Sequence, residues 1–168
     1  MVFPCYGRLT ALQKKVYRKS DEIISIVIPD AHKLHSVVQA LVSVLAREDK
    51  EEIEILSQKL ISSLAVRLKT PPLRVKVLSA RPHSDFGELH GLYVPAEGTK
   101  PATITVWMRT AQKRKVAAFR TFLGTLLHEF CHHLDYEHFL LPESFHTEGF
   151  FKRESSMFHQ LAAIRKTD

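Results

Sequence analysis

Two stretches in the first half of the chain repeat apolar residues at the spacing of one helix face. The first runs from Leu34 to Leu45 behind Pro29-Asp30, and it predicts a helix with Asp30 as its N-cap. The second runs from Glu51 to Leu68, where Pro71-Pro72 stops it. Because neither stretch gathers chemically active side chains, we expect a packed helical hairpin that serves as scaffold.

Apolar and polar residues alternate in the middle of the chain instead. Residues 73–80 predict one strand, and residues 88–98 and 102–110 predict two more, with turn-forming proline and glycine between them. The helical period returns after Lys113 and holds to about Phe139, and a last helix is predicted from about Thr147 to Arg165. Helices, a small mixed β-sheet and then further helices make an α+β arrangement.

The length of 168 residues fits one domain, with residues 1–70 as helical scaffold and residues 71–168 as the sheet and the active-site helices. Neither a signal-peptide pattern nor an apolar run of membrane-spanning length is visible. We therefore expect a cytoplasmic protein with no membrane partner. The two cysteines, Cys5 and Cys131, form no CxxC pair, which excludes a cysteine-based zinc site and argues against a disulfide framework.

The chain is basic, with a formal net charge of +6 and a pI near 9.4. Such a charge permits an anionic partner such as nucleic acid without requiring one, because a basic surface is often only a means of staying soluble. The basic residues are also spread along the chain, in small clusters such as Lys14-Lys15 and Lys113–Lys115. Charge alone therefore leaves nucleic-acid binding as an open alternative.

The predicted helix before Phe139 has two contrasting faces. At about 100° per residue, one broad stripe faces the core. It consists of Phe119, Phe122, Leu123, Leu126, Leu127, Phe130, Cys131 and Leu134. His128 and His132 fall almost opposite this stripe, and Glu129 lies beside it. The small residues Thr121, Gly124 and Thr125 precede the two histidines on the same face, so they leave room for a cleft.

Residues 128–132 read His-Glu-x-x-His, the HExxH motif. Because residues four apart lie one turn apart on one face, the imidazoles of His128 and His132 can reach one metal ion. Glu129 is offset from that line, where its carboxylate can take a proton from a metal-bound water. The pattern therefore predicts a catalytic zinc centre; the competing interpretation is a surface histidine pair beside a solvated glutamate.

Three neighbours of the motif invite smaller predictions. Asp135 shares the face of His128 but lies about 10.5 Å from it along the helix axis, too far to bind the same ion. We expect Asp135 instead to accept a hydrogen bond from His132 or another neighbour. His133 points toward the edge of the core stripe and is expected to be structural, and Cys131 to be a packed, inert thiol.

A catalytic zinc site needs a third protein ligand and one open position. Leu140–Pro142 allow the chain to turn back toward the motif, and two residues downstream are candidates. His146 precedes the start of the last predicted helix, whereas Glu154 lies inside it. If His146 is the ligand, Glu154 is expected to support the site through Arg153 or through one of the histidine ligands.

The stretch from about Thr103 to Phe158 resembles the SprT-like branch of the zincin metallopeptidases. Those proteins have HExxH, a short return loop, and a histidine followed four positions later by Phe or Trp and by basic residues. Here the matching residues are His146, Phe150 and Lys152-Arg153, although Thr147 stands where the family commonly has glycine. The resemblance implies a zincin-like fold, Zn²⁺ held by His128, His132 and His146, and Glu129 as general base. A gluzincin-like arrangement would use Glu154 instead, but Phe158 stands where many gluzincins carry an aspartate.

The resemblance also implies a peptide or protein substrate, because zincins add an extended peptide to a strand beside the cleft. Residues 102–110 are the best candidate for that edge strand, with Trp107 or Met108 buried in the core. Two other functions stay open at this point. One is a non-catalytic, zinc-stabilised domain that binds protein or nucleic acid, and the other is a metallohydrolase that acts on something other than peptides.

Overall fold

The computed structural model describes residues 4–80, 83–84, 87–88, 91–109 and 117–162. The helices are α1 (Ala11–Glu22), α2 (His35–Arg47), α3 (Lys50–Arg67), α4 (Phe119–Glu137) and α5 (Glu148–Ala162). The strands are β1 (Leu73–Ala80), β2 (His83–Ser84), β3 (Gly87–Glu88), β4 (Gly91–Val94) and β5 (Ala102–Arg109). Short 3-10 turns cover Pro4–Arg8 and Ala31–Leu34. The predicted mixed α+β class is confirmed.

β5 is the centre of a three-stranded sheet with the order β1-β5-β4. β1 runs parallel to β5, with Leu73 opposite Ala102, and β4 runs antiparallel to it, with Tyr93 opposite Ile104. The prediction that residues 102–110 form the edge strand is therefore wrong within the described residues 102–109. β5 has neighbours on both sides, and both Trp107 and Met108 are buried. The edge strand on the side of the motif helix is β4.

Side chains of α3 cover the outer edge of β1. Gln58 accepts a hydrogen bond from the Val75 N–H at 2.8 Å and donates one to the Leu73 carbonyl at 3.0 Å. Glu54, one turn earlier on α3, accepts from the Val77 N–H at 2.8 Å. These bonds satisfy backbone groups that an exposed edge strand would leave available for pairing with another chain. β4 is thus the edge of this sheet that borders the motif helix.

The apolar core lies between the inner face of this sheet and the helices that pack against it. Ile104 and Val106 of β5 are buried against a cluster that includes Leu126 of α4, Leu60 of α3 and Phe150 of α5. The alternation of β1 places Leu73, Val75 and Val77 inside and leaves the residues between them exposed. This packing holds α4 beside β4, which sets the position of the HExxH motif.

Helix boundaries differ from the predictions at several places. Asp30 does not act as a side-chain N-cap: it has a left-handed φ of 52° ahead of the 3-10 turn, its carboxylate contacts Lys33 at 2.9 Å, and α2 begins only at His35. The helix expected after Lys113 begins at Phe119. Ala117 lies before the helix, and its N–H donates to the Met108 carbonyl of β5 at 2.8 Å. α1 was not predicted.

Other predicted boundaries fall partly outside the described residues. These are Lys113 as a helix start, Thr110 at the end of a strand, residues 89–90 of the second strand, and residues 163–165 of the last helix. The second strand is confirmed only for Gly91–Val94, because Gly87–Glu88 pairs with His83–Ser84 instead. In the part of the chain that the structure describes, none of the helices combines the length and apolarity needed to cross a bilayer.

Candidate metal centre

α4 carries the motif and is more deeply buried than its amphipathic pattern predicts. The predicted core stripe is buried from Phe122 to Leu134, with Phe119 only partly covered. Glu129, His133 and Asp135 are buried as well, because β4 lies against Glu129 and His133, and the return loop and α5 cover Asp135. His128 and His132 keep partial exposure, and both reach the cleft together with Glu129.

His146 joins the two motif histidines from the return loop. Its Nε2 atom lies 3.0 Å from Nε2 of His128 and 3.1 Å from Nε2 of His132. Within the described residues, these three side chains form a group whose ligand atoms all lie within 4.8 Å of one another and that could hold a metal ion. His146 follows His132 by fourteen positions, and only the turn between α4 and α5 brings the two together.

The start of α5 fixes the position of His146. Thr147 is fully buried, and its hydroxyl accepts a hydrogen bond from the Phe150 N–H at 2.9 Å, which satisfies a free donor of the first turn. The ring of Phe150 lies against all three histidines, with centroid separations of 5.0, 4.9 and 5.2 Å. Thr147 is therefore compatible with this turn, although the SprT-like proteins that this segment resembles commonly have glycine there.

Each motif histidine is held at Nδ1 by a different partner. The Nδ1–H of His128 donates to the Glu154 carboxylate at 2.9 Å. Nδ1 of His132 lies 2.7 Å from the Ser144 hydroxyl, which donates to Asp135 at 2.7 Å. Such partners fix the tautomer and the ring orientation of a ligand histidine. They leave both Nε2 atoms directed toward His146.

Burial favours the neutral form of His132 and His146. It lowers the pKa of His132 to about 3, with His146 and His128 adding to the effect, and it also lowers the pKa of His146. A neutral imidazole offers a free lone pair, which is the form that binds a metal. Burial shifts the pKa of a carboxylic acid in the opposite direction, and it raises the pKa of Glu129 to about 7.

Glu129 lies between the histidines and β4. The Tyr93 N–H of β4 hydrogen-bonds to its carboxylate. Gly91 leaves space for the side chain, because a Cβ atom at that position would lie 2.6 Å from Glu129 Oε1. The carboxylate is therefore held at the boundary between the edge strand and the three histidines.

A cleft of about 590 Å³ opens beside these groups. Its lining consists of Gly91, Leu92, Tyr93, Pro95, Gly124, Thr125, His128, Glu129, His132, Tyr136, Ser144, His146 and Glu154. Gly124 and Thr125 lie in the wall as predicted, whereas Thr121 is exposed outside it. A Cβ atom at Gly124 would meet nothing within 4 Å, so this glycine gives access to the cleft rather than close packing.

The neighbours of the motif lie largely where they were expected. His133 is structural: its Nε2 atom lies 3.0 Å from the Pro71 carbonyl and its Nδ1 atom lies 3.0 Å from the Tyr93 hydroxyl. Cys131 is fully buried. Asp135 supports His132 as predicted, but through the Ser144 hydroxyl rather than directly. Glu154 contacts Nδ1 of His128 and is not part of the three-histidine group.

Sequence reasoning missed three residues of the site, namely Gly91, Tyr93 and Ser144. Gly91 and Tyr93 belong to the strand predicted within residues 88–98, but no feature of the sequence near them indicates that this strand contacts Glu129. Ser144 lies two positions before His146 in the return loop, and its residue type does not mark it as a metal ligand. A hydroxyl next to a candidate ligand was the available signal.

Comparison of the chain with protein-family models, with curated proteins and with solved structures finds no match.

Proposed function

We propose that this protein is a zinc-dependent metallopeptidase of zincin-like fold, in which His128, His132 and His146 hold the ion. The observation that carries the proposal is the position of Glu129. Its carboxylate is buried beside the three-histidine group and hydrogen-bonded to the edge strand. A purely structural zinc site has no need of such a carboxylate, whereas hydrolysis by an activated water does.

The donor set fits zinc. Three imidazoles are a common catalytic zinc set, and the fourth position is then open to water. At zinc–nitrogen distances of about 2.0–2.1 Å, tetrahedral ligands lie roughly 3.3 Å apart. Nε2 of His146 lies 3.0 and 3.1 Å from Nε2 of His128 and of His132, which is close to that value, and the ligand atoms of all three lie within 4.8 Å of one another. Because Glu154 engages Nδ1 of His128 and Ser144 engages Nδ1 of His132, each ring can offer only Nε2 to the ion.

When bound, zinc supplies Lewis-acid activation and lowers the pKa of a coordinated water to about 7. With the ion held by His128, His132 and His146, Glu129 would accept a proton from the water whose oxygen attacks the peptide carbonyl carbon. The same carboxyl group then gives the proton to the departing nitrogen as the C–N bond breaks. Burial raises the pKa of Glu129 to about 7 in the metal-free site, and a bound dication would lower it again, which favours the ionised carboxylate that accepts the proton.

The sheet edge supports a peptide as the substrate. The edge of β1 is covered by α3, so β4 is the edge of this sheet that can pair with an extended chain beside the cleft. Leu92 and Val94 of β4 are 43% and 48% exposed, which leaves apolar surface for alternate side chains of the added strand. Tyr93 and Tyr136 form an aromatic wall, with their rings stacked at 6.0 Å.

Metal content and chelator-sensitive cleavage test this proposal together. The purified protein should hold about one zinc per chain and should cleave unfolded protein or a peptide library. A chelator should stop cleavage, and added zinc should restore it. His128→Ala with His132→Ala should remove both zinc and cleavage. Stoichiometric zinc in that double mutant, or cleavage that a chelator does not affect, would contradict the proposal.

A further inference from the structure

A buried ion pair lies behind the metal centre. Arg153 of α5 and Asp135 of α4 are 1% and 0% exposed, and their side chains meet at 2.7 Å. Arg153 also belongs to the otherwise apolar buried stripe of its helix. Stability alone is a weak reason for such a pair, since apolar replacements of buried ion pairs are often neutral or stabilising. The contacts of the pair suggest a more specific role.

Arg153 is held in one orientation from several sides. One terminal nitrogen donates to the backbone carbonyls of Ser20 and Ile23 at the end of α1, at 2.6 Å each. The other donates to the Ser20 hydroxyl at 3.1 Å and to Asp135 Oδ1 at 2.7 Å. The guanidinium also lies over the rings of Phe139 and Phe150, at 5.3 and 5.6 Å. The planar guanidinium is therefore fixed by the end of α1, and it holds the Asp135 carboxylate in turn.

The other oxygen of that carboxylate determines the direction of a hydrogen-bond chain. Oδ2 of ionised Asp135 can only accept, so the Ser144 hydroxyl donates its single proton there, at 2.7 Å. The Ser144 oxygen then has only lone pairs for His132, 2.7 Å away. His132 must therefore carry its proton on Nδ1, and its Nε2 atom is left with a free lone pair toward His128 and His146.

We infer that Ser144 and Asp135 are positioning residues, which set the tautomer and the orientation of His132 for metal binding. Arg153 anchors this chain of hydrogen bonds to α1. The inference rests on the metal site of the proposed function, but not on peptidase activity. It also gives α1 a part in the site, because the carbonyl groups at its end hold the guanidinium.

The first test is Ser144→Ala in the full-length chain. Without the hydroxyl, the apoprotein at neutral pH should show ¹⁵N shifts for His132 that average over both tautomers, whereas the wild type should show a protonated Nδ1 and a bare Nε2. Zinc affinity, measured by competition with a chromophoric chelator, should fall by about 10–100-fold. Ser144→Thr keeps the hydroxyl and should retain both properties. Ser43→Ala, an exposed serine of α2, is the matched control and should change neither.

The second test is Asp135→Asn, which should reverse the direction of the hydrogen bonds between residue 135, Ser144 and His132. Here the amide nitrogen donates to Ser144, the hydroxyl then donates to Nδ1 of His132, and the proton of that ring moves to Nε2. The variant should therefore lose zinc affinity by at least as much as Ser144→Ala, with His132 in the opposite tautomer. If Asp135→Asn does not fold, Ser144→Ala alone decides. Ser144 is partly exposed, so its replacement by alanine should leave the protein folded.

The outcomes separate this inference from the proposed function. Wild-type protein that binds no zinc contradicts the metal centre itself, yet the tautomer of His132 in the apoprotein can still be read. Wild-type protein that binds zinc, together with a Ser144→Ala variant of equal affinity and unchanged ¹⁵N shifts, overturns the inference alone. Equal affinity losses in Ser144→Ala and Ser144→Thr would also overturn it, since the hydroxyl would then not matter.

Discussion

Gly91 is the position at which one methyl group should damage the site most selectively. A Cβ atom there would lie 2.6 Å from Oε1, 2.7 Å from Cγ and 2.9 Å from Cδ of Glu129. Each of these separations is shorter than the roughly 3.5–4.0 Å at which carbon atoms attract. Gly91→Ala must therefore displace the Glu129 side chain, or β4 itself, by a substantial fraction of an ångström.

The expected size of the effect follows from two opposing terms. Overpacking in a filled site costs about 1–3 kcal/mol. Replacing a strand glycine returns about 0.5–1 kcal/mol, because a residue with a side chain loses less backbone entropy on folding. We expect a net destabilisation of about 0.5–2 kcal/mol. If the protein is a peptidase, misplacing its general base by about 1 Å should also reduce turnover by roughly 10²-fold.

A double-mutant cycle isolates the clash from every other effect. Glu129→Ala removes all three clashing atoms, so Gly91→Ala in that background should stabilise the protein by about 0.5–1 kcal/mol. The coupling free energy between the two positions, from urea unfolding of the four proteins, should then be about 1–3 kcal/mol. Gly124→Ala is the control in the same cleft, where the methyl group meets nothing and should stabilise α4 by about 1 kcal/mol.

The cycle can refute the geometry without any substrate. If Gly91→Ala changes the free energy of unfolding equally in the presence and absence of the Glu129 side chain, the two positions are not in contact. Zinc content should stay the same in Gly91→Ala, because the three histidines are untouched. Loss of zinc in that variant would mean that β4, and not Glu129, had moved.

Two further substitutions test other contacts of the site. Glu154→Ala should weaken zinc binding by about 10–100-fold, and His146→Ala should weaken it by more, because losing a ligand costs more affinity than losing the group that orients one. Competition titration measures both affinities, and the reverse order would favour a gluzincin-like arrangement. Arg153→Met should cost about 3–5 kcal/mol in chemical unfolding by leaving the Asp135 carboxylate buried without its partner, whereas exposed Arg74→Met should stay within about 0.5 kcal/mol; equal costs would contradict the ion pair.

The elements that local pattern determines were predicted well. The pattern predicts β1 because the apolar Leu73, Val75 and Val77 alternate with the charged Arg74 and Lys76. α1 was missed for the opposite reason: only Val16, Tyr17 and Ser20 are buried, and its place depends on Arg153, more than a hundred residues away. An arginine in the apolar stripe of α5 was a signal that a buried partner existed, although it did not say where.

Strand order and the support of the histidines needed the fold. Whether residues 102–109 lie at the edge or the centre depends on their pairing with β1 and β4, which leaves no mark on their own alternation. The HExxH spacing alone gave His128, Glu129 and His132 their common face. The expected support of a histidine ligand by Glu154 is confirmed at His128, but the spacing could not reveal that Ser144 holds the ring of His132, because Ser144 arrives through the turn between α4 and α5.

The central claim is that Glu129 acts as a base beside a bound zinc ion, and Glu129→Gln tests it most directly. Glutamine keeps the size and the hydrogen-bonding shape of the side chain but cannot take a proton from water. Zinc content and melting temperature should stay nearly unchanged while chelator-sensitive cleavage of unfolded protein falls by about 10²–10⁴-fold. Glu51→Gln, at an exposed position of α3, should cleave like the wild type. Equal cleavage by Glu129→Gln and wild type would contradict the claim, as would a zinc-loaded wild type that cleaves no peptide or protein offered to it.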